Sequence, residues 1–134
     1  MTLVDTSVWI DFFRPSPGPA GVELARMIER AESFALTGVI VSEILQGVDH
    51  EVERMEQYLS LWDLIEPRGF ATYREAASIF RAGRSKGIAL KTVDTLIAAI
   101  ALEHRATLFS LDKDFARIAG ITPLKLHGRP QGLA

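Results

Sequence analysis

Five carboxylates carry the chemistry this chain could do. Asp5 directly follows the triplet Thr2-Leu3-Val4, and Glu43 sits in a short, largely apolar segment. Asp94 opens a strongly apolar stretch, and Asp112 and Asp114 follow the run Thr107 to Leu111. Most have a plain structural reading. Asp5, ahead of Thr6 and Ser7, suits a helix cap. Asp94, behind Thr92 as N-cap, would favour the helix dipole, and Asp112 or Asp114 could cap the next turn. Glu43 resists such a reading, because a carboxylate buried on an apolar helix is costly unless paired or bound to a cation. Gly47 leaves space beside it. Gathered in one place, these acids would repel one another, so a stable fold would protonate some of them or hold a cation. Hard oxygen ligands without His or Cys favour magnesium or manganese over zinc. Metals held in that way serve phosphodiester hydrolysis.

Other chemistries are excluded by what the sequence lacks. There are no cysteines, which removes disulfides, thiolate nucleophiles and Cys-based zinc sites. His50, His104 and His127 are scattered without metal-ligand spacing; His104 reads as a helix-surface or core residue and the other two as surface. No phosphate-binding Gly-rich loop and no nucleophile elbow occurs. The formal charge is −2, from 15 Lys plus Arg against 17 Asp plus Glu. That balance argues against simple nucleic-acid backbone binding. No basic segment precedes an apolar run at the start, and the longest apolar stretch is too short to span a bilayer. A soluble, cytoplasmic protein with no membrane partner is expected.

The elements that must position the acids follow from alternation of short apolar runs with helical patterns, the mark of a parallel sheet with crossover helices. Strands are expected at Thr2–Val4, Phe34–Thr37, Leu64–Ile65 and Thr107–Leu111, with a possible edge strand at Leu124–Leu126. Helices are expected over Ser7–Phe13, Val22–Ala31, between Gly38 and Gly47, Glu51–Leu61 and Phe70–Gly87, the last with Tyr73, Ala77, Phe80 and Arg84 along one side. A helix from Thr92 is apolar nearly all round, so it should be packed on both sides. At 134 residues and 48% hydrophobic content, the chain makes one domain, 1–134, with 126–134 as a frayed tail. In an open parallel sheet, ligands bind beyond the carboxyl ends of the strands, which is where the acids fall.

Val4-Asp5-Thr6-Ser7-Val8-Trp9-Ile10-Asp11, Ser42-Glu43-Ile44-Leu45-Gln46-Gly47, Asp94-Thr95-Leu96-Ile97-Ala98-Ala99 and Ser110-Leu111-Asp112-Lys113-Asp114-Phe115 resemble, in order and spacing, the PIN-domain family. The resemblance is nearest to its VapC-type toxins and spans nearly the whole chain. It implies a Rossmann-like α/β fold with a central parallel sheet flanked by helices. It also implies ribonuclease activity dependent on Mg2+ or Mn2+, a homodimer, and inhibition by a cognate antitoxin protein. Carried over by position, Asp5 and Asp94 are the principal metal ligands and Glu43 matches the family's second acid. Glu43 or a neighbouring Asp would help orient the attacking water, and the sequence does not decide which acid is the base. Asp112 or Asp114 supplies the fourth acid, with Ser110 where a threonine near the metal is common.

Two rival readings follow from the acids alone. A receiver-like magnesium-binding signalling domain needs a phosphoacceptor Asp ending the third strand, and Leu64-Ile65-Glu66-Pro67 offers none. The other is a non-catalytic RNA- or protein-binding module on the same fold. Within the fourth acid pair, a helical turn would rotate residues two apart by about 200°. Asp112 would then be the ligand and Asp114 an orienting acid; if the segment stays extended instead, both could face the cleft, because side chains two apart share a side. Amphipathic segments Val22–Ala31 and Glu51–Leu61 suggest a groove for an antitoxin helix.

Overall fold

The computed structural model describes residues 1–128. Four short strands, β1 (Thr2–Val4), β2 (Phe34–Leu36), β3 (Asp63–Leu64) and β4 (Thr107–Phe109), pair in parallel in the order β3-β2-β1-β4. The connections are helical: α1 (Thr6–Phe13) and α2 (Pro19–Glu29), α3 (Gly38–Gln46) and α4 (Val52–Leu59), then α5 (Phe70–Ser85) and α6 (Thr92–Glu103). A last helix, α7 (Lys113–Ala119), follows β4. The chain steps outward from β1 to β3, then returns to place β4 on the other side of β1. Strand order therefore reverses between β1 and β4, and a crevice opens there beyond their carboxyl ends.

The sheet is dry along β1, β2 and β4, which are covered on both faces, while the short edge strand β3 is exposed. Leu3, Val4, Leu36 and Leu108 have at most 1% of their surface exposed. Trp9 of α1 is wholly buried, stacks on Phe13 and donates its indole N–H to the Val4 carbonyl at 3.2 Å. That bond anchors α1 against the end of β1, next to Asp5. As its sequence requires, α6 is packed all round, with Ile97, Ala98, Ala99, Ile100 and Ala101 all buried.

Several boundaries depart from the sequence expectation for local reasons. Helix α2 begins at Pro19, three residues early, because proline at the first helical position is preorganised and its missing N–H is not needed. The α2 amides that the turn leaves free are taken by Asp11: its carboxylate accepts from Gly21 N at 2.7 Å and Gly18 N at 3.1 Å. Those two bonds hold the Asp11 carboxyl below its ordinary 3.8. The N-cap of α6 is Lys91, not Thr92. Strand β4 stops at Phe109 instead of Leu111, since Ser7 and Ser110 hydroxyls capture the amides of Leu111 and Asp112 at 3.0 Å and draw them out of the ladder.

The proposed edge strand at 124–126 is reduced to one parallel bridge, Leu108 to Leu126. Residues 126–128, assigned by sequence to the frayed tail, are held at that edge by a bond from His127 N to Leu108 O. The remainder of that tail, 129–134, lies outside the described residues. His127 is not a free surface residue either: its ring lies 4.4 Å from that of Phe109 and 3.7 Å from Glu23.

Helices α1 and α2 meet closely at Gly21. A Cβ there would come within 2.9 Å of the Asp11 carbonyl and the Phe12 Cα, which are backbone atoms that cannot step aside. Gly21→Ala is expected to lower stability by about 1–3 kcal/mol. Urea titration followed by circular dichroism measures it, and an unchanged midpoint would contradict this account of the α1–α2 contact.

Candidate functional site

The β1–α1 and β4–α7 junctions and the first turn of α6 deliver the acids to the crevice. Asp5 occupies the N-cap position of α1 but makes no capping bond. Its Oδ2 instead accepts the hydroxyls of Ser110 at 2.7 Å and Ser7 at 3.0 Å. The two hydroxyls lie 3.3 Å apart, so three side chains from either side of the crevice form one closed polar knot. Asp5 is 94% buried within it. Ser110 was singled out by the sequence. Ser7 was not, because a serine two residues after an aspartate reads equally well as part of a helix start.

Asp94 lies in the first turn of α6, 8% exposed, and its Oδ2 is buried without any hydrogen-bond partner. One oxygen each of Asp94, Asp112 and Asp114 lies within 4.8 Å of the others, close enough to share one cation. Asp112 is the N-cap of α7, with Oδ1 accepting the Asp114 amide at 2.9 Å, so the capping reading holds for one of its oxygens. The helical step expected to turn Asp114 away does not apply, because Asp112 is extended (φ −77°, ψ 126°). Asp114 joins the group while its Oδ1 accepts from Arg117 at 2.9 Å.

Glu43 is exposed, not buried as the apolar segment suggests. Helix α3 turns Ile40 and Ile44 to the core, and a one-residue step of about 100° from Ile44 carries Glu43 outward. Its Oε1 accepts the Thr6 hydroxyl at 2.9 Å, which ties α3 to the start of α1 beside Asp5. Thr6 is a second contributor that the sequence reading passed over. Neither His50 nor His104 belongs to the acid group; His104 Nε2 pairs with the Glu66 carbonyl at 2.7 Å.

The electrostatics are those of a crowded site. The Asp94 carboxyl is pushed up from 3.8 to about 6, first by burial, then by the charges of Asp112, Asp5 and Asp114, with Lys91 partly offsetting them. The unpartnered Asp94 oxygen, the clustered oxygens and the absence of any nitrogen or sulfur donor in the set fit a hard divalent cation.

Residues 2–121 match the family model described as PIN domain. The chain is 36% identical over 129 residues to a VapC ribonuclease of Mycobacterium bovis and to Ribonuclease VapC11 of Mycobacterium tuberculosis. Each alignment covers 93% of this chain and 96% of the relative. Among solved structures, a toxin–antitoxin complex from Klebsiella pneumoniae superposes with a TM-score of 0.68 at 25% identity, over 94% of this chain and all of that one.

Because the Asp94 pKa is raised by folding, its contribution to the stability of the metal-free protein is fully present below about 4. It is lost as pH rises through about 6. Asp94→Asn is therefore expected to raise the thermal midpoint at pH 7.5, in chelator, by about 3–5 °C, with the difference shrinking toward pH 4. Scanning calorimetry decides this; equal midpoints at pH 7.5 would mean the crowding is not felt.

Proposed function

The chain belongs to the PIN-domain family, and from that membership we propose that it is a VapC-type toxin ribonuclease, hydrolysing RNA phosphodiester bonds at its carboxylate cluster. The observation that carries this reading is the buried, unpartnered oxygen of Asp94 beside Asp112 and Asp114. A free carboxylate oxygen in such a place is costly unless a cation or substrate completes it.

Asp94 and Asp112, grouped with an Asp114 that Arg117 steadies, and Asp5, held by Ser7 and Ser110, are the residues that would hold Mg2+ or Mn2+. Such an ion, when bound, supplies a Lewis acid that offsets charge on the phosphoryl oxygens. Ser7 and Ser110 fix the Asp5 carboxylate, so no reorganisation is needed when substrate arrives. Glu43, solvent-facing and oriented by Thr6, is placed to accept the proton of the attacking water. Water adds to phosphorus in line, the bond to the departing ribose oxygen breaks, and that oxygen is protonated from solvent.

The partner is an antitoxin protein, and the toxin assembles as a homodimer. The two amphipathic segments thought to share a groove pack separately: α2 lies against α1, and α4 against α3. A hollow of about 240 Å3 lies instead between the end of α1 and α4, lined by Phe13, Met55 and Tyr58. An amphipathic antitoxin helix would seat its apolar face there. No helix among the described residues is long and apolar enough to cross a membrane.

Cleavage of RNA is expected to stop with chelator and return with magnesium or manganese. Asp5→Asn and Asp94→Asn should each reduce it at least about a hundredfold with the circular dichroism spectrum unchanged. Full activity of either variant at saturating manganese would defeat the assignment. In a bacterial host, expression of the chain alone should arrest growth, and co-expression of the antitoxin from the adjacent gene should restore it. Tyr58→Asp in the α4 hollow should prevent that rescue without reducing toxicity. Rescue of the variant as complete as that of the native chain would place the antitoxin elsewhere.

A further inference from the structure

The antiparallel pair α5–α6 carries surface that the fold itself does not use. Helix α5 meets the core through Thr72, Ala76, Ile79 and Gly83. Its neighbouring stripe, Tyr73, Ala77, Phe80 and Arg84, faces outward and forms with α6 an apolar groove of about 360 Å3. Tyr73 remains 54% exposed at one end. Arg81, Arg84 and Thr92 line the other end, and Thr92 is only two residues, a rise of about 3 Å, from Asp94. Thr92 and Asp94 point about 200° apart and no acid lines the groove, so it does not open from the acid cluster itself. Its cationic end lies beside the helix turn that carries Asp94, where Lys91 acts on the Asp94 carboxylate.

Its charge is unlike that of the rest of the chain. Residues 76–93 contain no acid and four cations, Arg81, Arg84, Lys86 and Lys91, in a protein whose net charge is −2. All four are exposed, and among the described residues none lies within ion-pair distance of a carboxylate. The Arg84 guanidinium rests 6.0 Å from the Phe80 ring centre, a contact that leaves its charge unneutralised. Apolar and aromatic walls with unneutralised arginines at one end match a single-stranded nucleic acid, whose bases stack while its phosphates meet cations.

We propose that the α5–α6 groove binds the single-stranded RNA flanking the scissile phosphate. Arg81 and Arg84 hold its backbone, and the Tyr73–Phe80 wall takes a base. This rests on the ribonuclease reading and explains how an acidic protein holds a polyanion: the cations are concentrated beside the carboxylates that repel it. These residues position the substrate and do not touch the reacting atoms.

The test is fluorescence anisotropy of a labelled single-stranded oligoribonucleotide of about twelve nucleotides, in chelator and across a salt series, so that binding is read without cleavage. The double variant Arg81→Glu/Arg84→Glu should weaken binding at least about tenfold. The slope of log affinity against log salt should fall by about 0.7 for each phosphate contact removed. The charge-matched control Arg30→Glu/Arg105→Glu, at exposed positions where the chain enters β2 and β4 on the opposite sheet edge, should stay within about twofold. With manganese, the groove variant should show a raised KM at nearly unchanged kcat. Binding by the groove variant within twofold of the native chain, or no saturable binding by the native chain, overturns the inference. So does conversion of a dimer to a monomer in light scattering of the groove variant, which would assign the face to a second copy. Native binding that depends on Arg81 and Arg84, in a chain that cleaves nothing with manganese, upholds the groove and removes the nuclease reading instead.

Discussion

Mutual repulsion among carboxylates that the fold will not let separate governs this molecule. Asp5, Asp94, Asp112 and Asp114 reach one crevice from three different chain segments, and burial deprives Asp5 and Asp94 of the water that still reaches the partly exposed Asp112 and Asp114. The raised Asp94 pKa records burial first and the charges of its neighbours second. What holds the acids there is the parallel sheet, whose strand order reverses between β1 and β4 and so leaves an opening between two otherwise adjacent strand ends. Dry packing below, from Trp9 under β1 to the all-round burial of α6, is what makes the arrangement rigid enough to tolerate the repulsion.

Charge is distributed around this centre with some economy. Hydroxyls, not cations, steady Asp5, so its negative charge is oriented without being neutralised. Arg117 engages Asp114 from the rim, where solvent weakens the pair. A permanent buried ion pair at Asp5 or Asp94 would have made a quieter protein and an inert one.

Much of this was readable from residue order. The strand–acid junctions at Asp5 and Asp112, the acid opening an all-apolar helix at Asp94, and the parallel architecture each follow from local patterns that tertiary contacts then respected. The misreadings have a common origin in contacts between distant segments. Glu43 was taken as buried because its neighbours are apolar, whereas the angle at which α3 lies on the core decides which residue faces inward. The end of β4 depended on Ser7, 104 residues away in sequence. The start of α2 depended on Asp11 reaching forward to amides at Gly18 and Gly21. Asp114 joins the cluster because Asp112 is extended, which is the second of the two arrangements that the residue order allows.

The knot of Ser7, Asp5 and Ser110 closes a loop of more than a hundred residues, and the β1–β4 pairing beneath it joins the first strand to the last. Such a contact carries a large entropic cost until the intervening chain is ordered, so it forms late. During synthesis, Asp5 emerges early but has neither Ser110 nor Asp112 to meet until nearly the whole domain has left the ribosome. A nascent chain that stalls before β4 holds the first carboxylate without its mates. The acid group is therefore complete only once the chain is nearly so.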